Sequence, residues 1–164
     1  MRSVAVGILW IALLAFPAFS AECQQASVSV CFRPGPESCV DRIAAAIGSA
    51  KRSVLIQAYG FSSTPIAKAL LEAKKRGVAV RAVLDESNRT AKYSAATFLA
   101  NAGIPVRIDE KVAIAHNKVI VVDDELVIGG SYNFTKSAEE RNAENVSFIR
   151  SACVARLYAE NFER

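Results

Sequence analysis

His116-Asn117-Lys118-Val119-Ile120-Val121-Val122-Asp123 is the stretch on which the fold turns. Val119 to Val122 is apolar on both faces, as in a strand covered from both sides of its sheet. Such a strand belongs to a layered α/β domain, and its neighbours fit one. Upstream, Ser53–Tyr59, Val78–Leu84 and Ile104–Ile108 read as strands. Between them lie two helical segments. The first starts with Thr64 as N-cap and Pro65 at the first helical position, buries Ile66, Leu70 and Ala73, and ends at Gly77. The second runs from about Thr90 to Ala102 and ends at Gly103. Further upstream, Ser27–Phe32 alternates as a strand until Arg33-Pro34-Gly35-Pro36 stops it, and Val40, Ile43, Ala44 and Ile47 recur at helical spacing between Ser38 and Lys51. Downstream, Ala113–Val122 and Leu126–Ile128 form a hairpin around Asp123-Asp124-Glu125. A polar stretch, Thr135–Glu144, then leads to strand Asn145–Ile149 and helix Cys153–Phe162. Alternating strands and helices followed by a hairpin predict an α/β fold, a single-domain mixed β-sheet flanked by helices on both faces, with the early strands parallel.

The first twenty residues stand apart. Arg2 precedes the apolar run Val4–Phe16, Pro17 breaks it, and Ala18-Phe19-Ser20 offers small residues to a signal peptidase. The run is shorter than the roughly 20 residues a membrane span needs. The expectation is a signal peptide over 1–20, a mature domain over 21–164, a periplasmic or secreted location, and no stable membrane insertion after cleavage. All four cysteines fall in the mature part, which in an exported chain points to disulfides, with three connectivities open. Cys31 and Cys39 flank the Pro-Gly-Pro turn, so their pairing is preferred, leaving Cys23 for Cys153. No CxxC pair exists and the one histidine lies elsewhere, which argues against a zinc site. Lys+Arg exceed Asp+Glu by 20 to 16, an imbalance that fits a polyanionic partner without demanding one.

Chemistry concentrates between His116 and Glu144. His116 and Lys118 are two residues apart, so at a strand mouth both side chains share a face. A lysine there supplies a point charge for phosphate oxygens, and an imidazole supplies a nucleophile or a general acid. After the hairpin, Gly130 allows close backbone approach, and Ser131 and Asn133 add neutral donors on the same side.

Together these residues read H-x-K-x4-D-x6-G-S-x-N, a pattern that resembles the phospholipase D superfamily at His116, Lys118, Asp123, Gly130, Ser131 and Asn133. The continuation to Glu144 resembles its short bacterial endonuclease branch. The resemblance implies a two-step displacement: His116 forms a phosphohistidine, while a second histidine protonates the leaving oxygen and then activates water. It implies that Lys118 and Asn133 hold the phosphate oxygens, with Ser131 and Gly130 supporting the pocket, and that Glu144 hydrogen-bonds the nucleophilic imidazole. Asp123 faces away from Lys118 and is expected to brace the motif, although a plain turn carboxylate fits as well.

The mechanism needs two imidazoles and the chain holds one, so a homodimer sharing its active site across a two-fold axis is expected. No cofactor or metal is expected. A magnesium site at Asp123, Asp124 and Glu125 is disfavoured, because three adjacent acids on a strand cannot all face one ion. The expected substrate is nucleic acid, DNA or RNA, with Lys68, Lys74, Lys75, Arg76, Arg81, Arg89, Lys92 and Lys111 as backbone contacts. Tyr59 and Phe61 either line the cleft or pack in the core. The alternatives are a phospholipase D or phosphatidyl transferase acting on phospholipid, and a catalytically weak relative that only binds nucleic acid.

Overall fold

The computed structural model describes residues 23–164; the expected leader lies outside them. The strands are β1 (Ser27–Arg33), β2 (Ser53–Ala58), β3 (Ala79–Asp85), β4 (Val106–Asp109), β5 (Lys118–Val122), β6 (Leu126–Gly130) and β7 (Glu144–Arg150). The helices are α1 (Cys39–Gly48), α2 (Thr64–Lys75), α3 (Ala96–Asn101), α4 (Lys136–Glu140) and α5 (Ala152–Phe162). All the strands join one mixed sheet in the order β1-β7-β6-β5-β2-β3-β4. β2, β3 and β4 pair in parallel, as their crossover helices require, and the remaining pairings are antiparallel. β1 runs in the same direction as these three but sits at the far edge, beyond β7.

The buried stretch that opened the reading becomes β5, at the centre of the sheet. Its alternate residues feed two cores. Ile120 and Val122 pack with Val54, Ile56 and Ile128 under α1 and α2, which contribute Ile43, Ile47, Ile66 and Leu70. Val121 joins Leu55 and Val127 on the other face, beneath Ala155 and Phe162 of α5. With helices on both faces, β5 has no solvated side, which is why its sequence does not alternate.

At the distal end of β5 the chain reverses through Asp123 and Asp124, both left-handed with φ of 55° and 56°. The Glu125 amide closes the turn on Val122 O at 3.0 Å. Aspartate tolerates this conformation better than most residues do. The Asp123 carboxylate accepts from the amides of Lys51, Arg52 and Ser53 at 2.8, 2.6 and 2.9 Å, tying the hairpin to the start of β2.

Several boundaries differ from the sequence reading. The helix expected from Thr90 shrinks to α3, because the Ser94 hydroxyl donates to Asn88 and the Ala95 amide to the Phe61 carbonyl, outside any helical ladder. The strand expected from Ala113 begins only at Lys118, since the Ala115 amide bonds the Asp85 carboxylate and not a neighbouring strand. Ser63, not Thr64, occupies the N-cap of α2, with Pro65 still in its first turn. The polar stretch after Thr135 contains α4, capped by Thr135 Oγ1 accepting from the Ala138 amide at 3.2 Å.

Both disulfides form in the preferred arrangement, Cys31–Cys39 between β1 and α1 and Cys23–Cys153 anchoring the segment before β1 to α5. They close loops of very different length, with sequence separations of 8 and 130. Chain-entropy reasoning assigns about 2.5 kcal/mol to the short loop and about 5 kcal/mol to the long one. Replacing each pair by serine should therefore lower the thermal midpoint more for Cys23/Cys153 than for Cys31/Cys39, as calorimetry would record.

Candidate active site

The site forms where β5 begins and β6 ends, on the side of the sheet opposite the Asp123 turn. His116 is exposed in the irregular segment leading into β5, and Lys118, the first strand residue, is 8% exposed. Lys118 Nζ lies 3.0 Å from His116 Nε2 and also donates to the His116 carbonyl at 3.1 Å. An ammonium can only donate, so this contact requires Nε2 to accept, with the ring proton on Nδ1. Tyr59, just past β2, packs edge-on against the imidazole with centroids 4.7 Å apart, and Lys118 Nζ sits 5.5 Å from the Tyr59 ring centroid. Burial pushes the Lys118 pKa below its ordinary value, and the nearby Glu144 charge only partly restores it.

The second half comes from the end of β6. Gly130 lies so close to β7 that a Cβ would run into the Asn145 carbonyl, so glycine is sterically required there. This approach lets Ser131 Oγ accept from the Asn145 amide at 3.1 Å while donating to the Glu144 carboxylate. Asn142 Nδ2 donates to the other oxygen of Glu144 at 2.8 Å. Tyr132 is buried, and its hydroxyl donates to Glu139 at 2.9 Å; burial first, then that bond, raises its pKa well above the ordinary value. Tyr132 thus anchors the strand end that carries Ser131 and Asn133. The Asn133 Oδ1 is buried without a partner among the described residues, a state that costs about 1–3 kcal/mol in a protein interior.

His116 and Lys118 are therefore in direct contact, as are Ser131 and Glu144, and the Glu144–Lys118 attraction links the two pairs. Glu144 does not hydrogen-bond His116 among the described residues; Ser131 and Asn142 occupy its carboxylate. Asp123, counted with the catalytic candidates, lies at the opposite end of β5 and there braces the backbone. Phe61 is buried and packs edge-on against Phe134 in the core, whereas Tyr59 faces the site.

Three of the eight expected phosphate contacts are engaged in ion pairs. Lys75, Arg81 and Arg89 pair with Glu72, Glu163 and Glu110. Lys111 does line a groove that includes His116, and Arg107 and Arg164, absent from the sequence reading, line it too. Sequence reasoning also missed Asp85 and Asn88, buried at the end of β3; the only local signal was an Asp-x-Ser turn after a strand. No group of three or more His, Cys, Asp or Glu able to hold a metal occurs among the described residues.

Residues 43–164 match the family model described as Cardiolipin synthase, PLD-like domain. A "Phospholipase D" of Rickettsia conorii is 46% identical over 142 residues, 87% of this chain and 70% of that protein. The mouse "Mitochondrial cardiolipin hydrolase" is 34% identical over 134 residues, 82% of this chain and 61% of that protein. Among solved structures, Nuc from Salmonella typhimurium, described as a phospholipase D family member, superposes with a TM-score of 0.79 at 42% identity, covering 85% of this chain and 93% of that one. NucT from Helicobacter pylori shares the fold, with a TM-score of 0.75 at 24% identity. The chain belongs to the phospholipase D superfamily, and its chemistry is phosphodiester hydrolysis or transfer.

Acid should expose the anchoring role of the aspartates. For both Asp85 and Asp123, burial alone would raise the pKa, but the hydrogen bonds they accept outweigh it and hold them below the ordinary 3.8. Their stabilising contribution is complete above the unfolded value and fades as pH falls from there through the lower folded values. Urea midpoints should accordingly be level from pH 7 to 5 and drop below pH 4, and Asp85→Asn and Asp123→Asn should each flatten that drop.

Proposed function

We propose that the protein is an exported, metal-independent phosphodiesterase that cleaves nucleic acid as a homodimer, with His116 as nucleophile. The observation that carries this reading is the Lys118 ammonium 3.0 Å from Nε2 of the one histidine in the sequence. A phosphate entering beside Lys118 draws the ammonium onto its oxygens and frees the Nε2 lone pair. Nε2 then attacks phosphorus as the bond to the leaving oxygen breaks, and the imidazole of a second copy, entering as the imidazolium, gives that oxygen its proton. The same imidazole, now neutral, takes a proton from water, whose oxygen displaces His116 from phosphorus. Lys118 and Asn133 stabilise the charge on the phosphoryl oxygens, with Ser131, Gly130 and Glu144 holding the pocket wall.

Three observations favour nucleic acid. Arg107, Lys111 and Arg164 outnumber Asp109 and Glu110 in the groove beside His116, the chain as a whole carries more Lys+Arg than Asp+Glu, and the run from His116 to Glu144 resembles the short endonuclease branch of the superfamily. The two disulfides and the apolar leader support export. Phospholipid is the second reading, favoured by the identity to the proteins named Phospholipase D and by Val112 and Ile114, 54% and 59% exposed near the groove.

Purified protein in excess chelator should nick plasmid DNA and leave phosphatidylcholine and cardiolipin vesicles intact. His116→Ala should lose at least about a thousandfold in rate, the scale on which removal of a covalent nucleophile acts. Light scattering on the active preparation should give twice the chain mass. Vesicle hydrolysis with intact plasmid would transfer the proposal to phospholipid.

A further inference from the structure

Residues 110–117, which carry His116, join no strand ladder and contain no helix. A nucleophile on such a segment would wander unless something outside the segment held it, and misplacement by about 1 Å can cost a hundredfold in rate. Two hydrogen bonds bracket His116. On one side the Ala115 amide donates to Asp85 Oδ2 at 2.8 Å. On the other the Tyr59 amide donates to the Asn117 carbonyl at 2.8 Å. Both lead back to one turn. The second oxygen of Asp85 accepts from the Ser87 amide at 3.0 Å and the Ser87 hydroxyl at 2.6 Å, which winds Glu86–Arg89. Within that turn, Asn88 Nδ2 donates to the Tyr59 carbonyl at 2.6 Å, and Asn88 Oδ1 accepts from Ser94 Oγ at 3.0 Å. Asp85 and Asn88 are 6% and 4% exposed, polar residues buried outside the sequence motif.

We infer that Asp85 is a positioning residue for the reaction: its buried carboxylate fixes the backbone amide next to His116, and the turn it organises fixes, through Asn88, the strand end that presents the Tyr59 ring to the same imidazole. The inference rests on His116 being the reacting residue. Asp85 touches no reacting atom, and both its oxygens are occupied, so it exchanges no proton with substrate. Three donors converge on it, which only a carboxylate satisfies. Asparagine has the same shape but would turn its NH2 group toward one of those donors and leave that N–H unpaired.

The test compares wild type, Asp85→Asn and His116→Ala on bis(4-nitrophenyl) phosphate, a phosphodiester neutral between nucleic acid and lipid. Asp85→Asn should lower kcat by about tenfold to a hundredfold with KM changed less than about twofold, since geometry at the reacting atom is lost but binding is kept. The lone imidazole, a sharp single C2-proton NMR signal in wild type, should broaden or double in this variant. A kcat near that of wild type together with a sharp signal overturns the inference. If the variant does not fold, hydrogen exchange on wild type decides: the Ala115 amide should be protected like a core strand, and exchange at an exposed-loop rate overturns the clamp. His116→Ala turning over like wild type would instead defeat the nucleophile assignment, a different failure from an inactive His116→Ala beside a fully active Asp85→Asn.

Discussion

A buried ammonium facing an imidazole lone pair is the contact around which this molecule is arranged. Lys118 is held at the start of a strand covered on both faces, where desolvation penalises its charge, and its partners are His116, the Tyr59 ring and the more distant charge of Glu144. Such a cation is under-solvated, and in the proposed function an incoming phosphate supplies the oxygens it lacks. The cost of keeping it dry is met by the two packed layers on either side of β5, which depend in turn on the unbroken Val119–Val122 run.

The same constraint explains the division of labour along β5. In the proposed reaction its proximal end carries the chemistry and must stay open to solvent, in keeping with the exposed His116 and its irregular segment. Its distal end carries Asp123, whose carboxylate gathers three amides at the start of β2 and fixes the register of the hairpin. The proximal end relies on buried side chains from other elements, Asp85 beneath the His116 segment and the Tyr132–Glu139 bond beneath Ser131 and Asn133. Loop residues with chemical roles are thus tied to strand ends by hydrogen bonds that span the sequence.

What was legible in the sequence follows from range. Lys118 and Gly130 lie on one strand and its hairpin partner, and His116, Ser131 and Asn133 lie within three residues of those strand ends, so their spacing placed them at one end of the sheet. The α/β architecture was legible because Val119–Val122 could belong only to a covered strand and because the upstream elements alternate. The position of β1 beyond β7 was not, since edge pairing leaves no local mark. Nor was the Asp85–Ala115 bond, which joins residues 30 positions apart. The overlong helix from Thr90 shows a competition decided by partners outside it: buried Asn88 takes the Ser94 hydroxyl and the Phe61 carbonyl takes the Ala95 amide, so the helix starts only at Ala96. Glu144 was placed near the cluster by spacing, but its partners, Ser131 and Asn142, were set by the close approach of Gly130 to β7.

The central claim is that one phosphate is worked on by two copies of His116 in unlike roles, one attacking and one transferring protons. Its most direct test is the stoichiometry of the covalent intermediate. Protein mixed rapidly with an excess of labelled phosphodiester, quenched in base to preserve the nitrogen–phosphorus bond and examined by peptide mass spectrometry should carry the label on His116, at one adduct for every two chains. A label on every chain, or on any residue other than His116, would contradict the account.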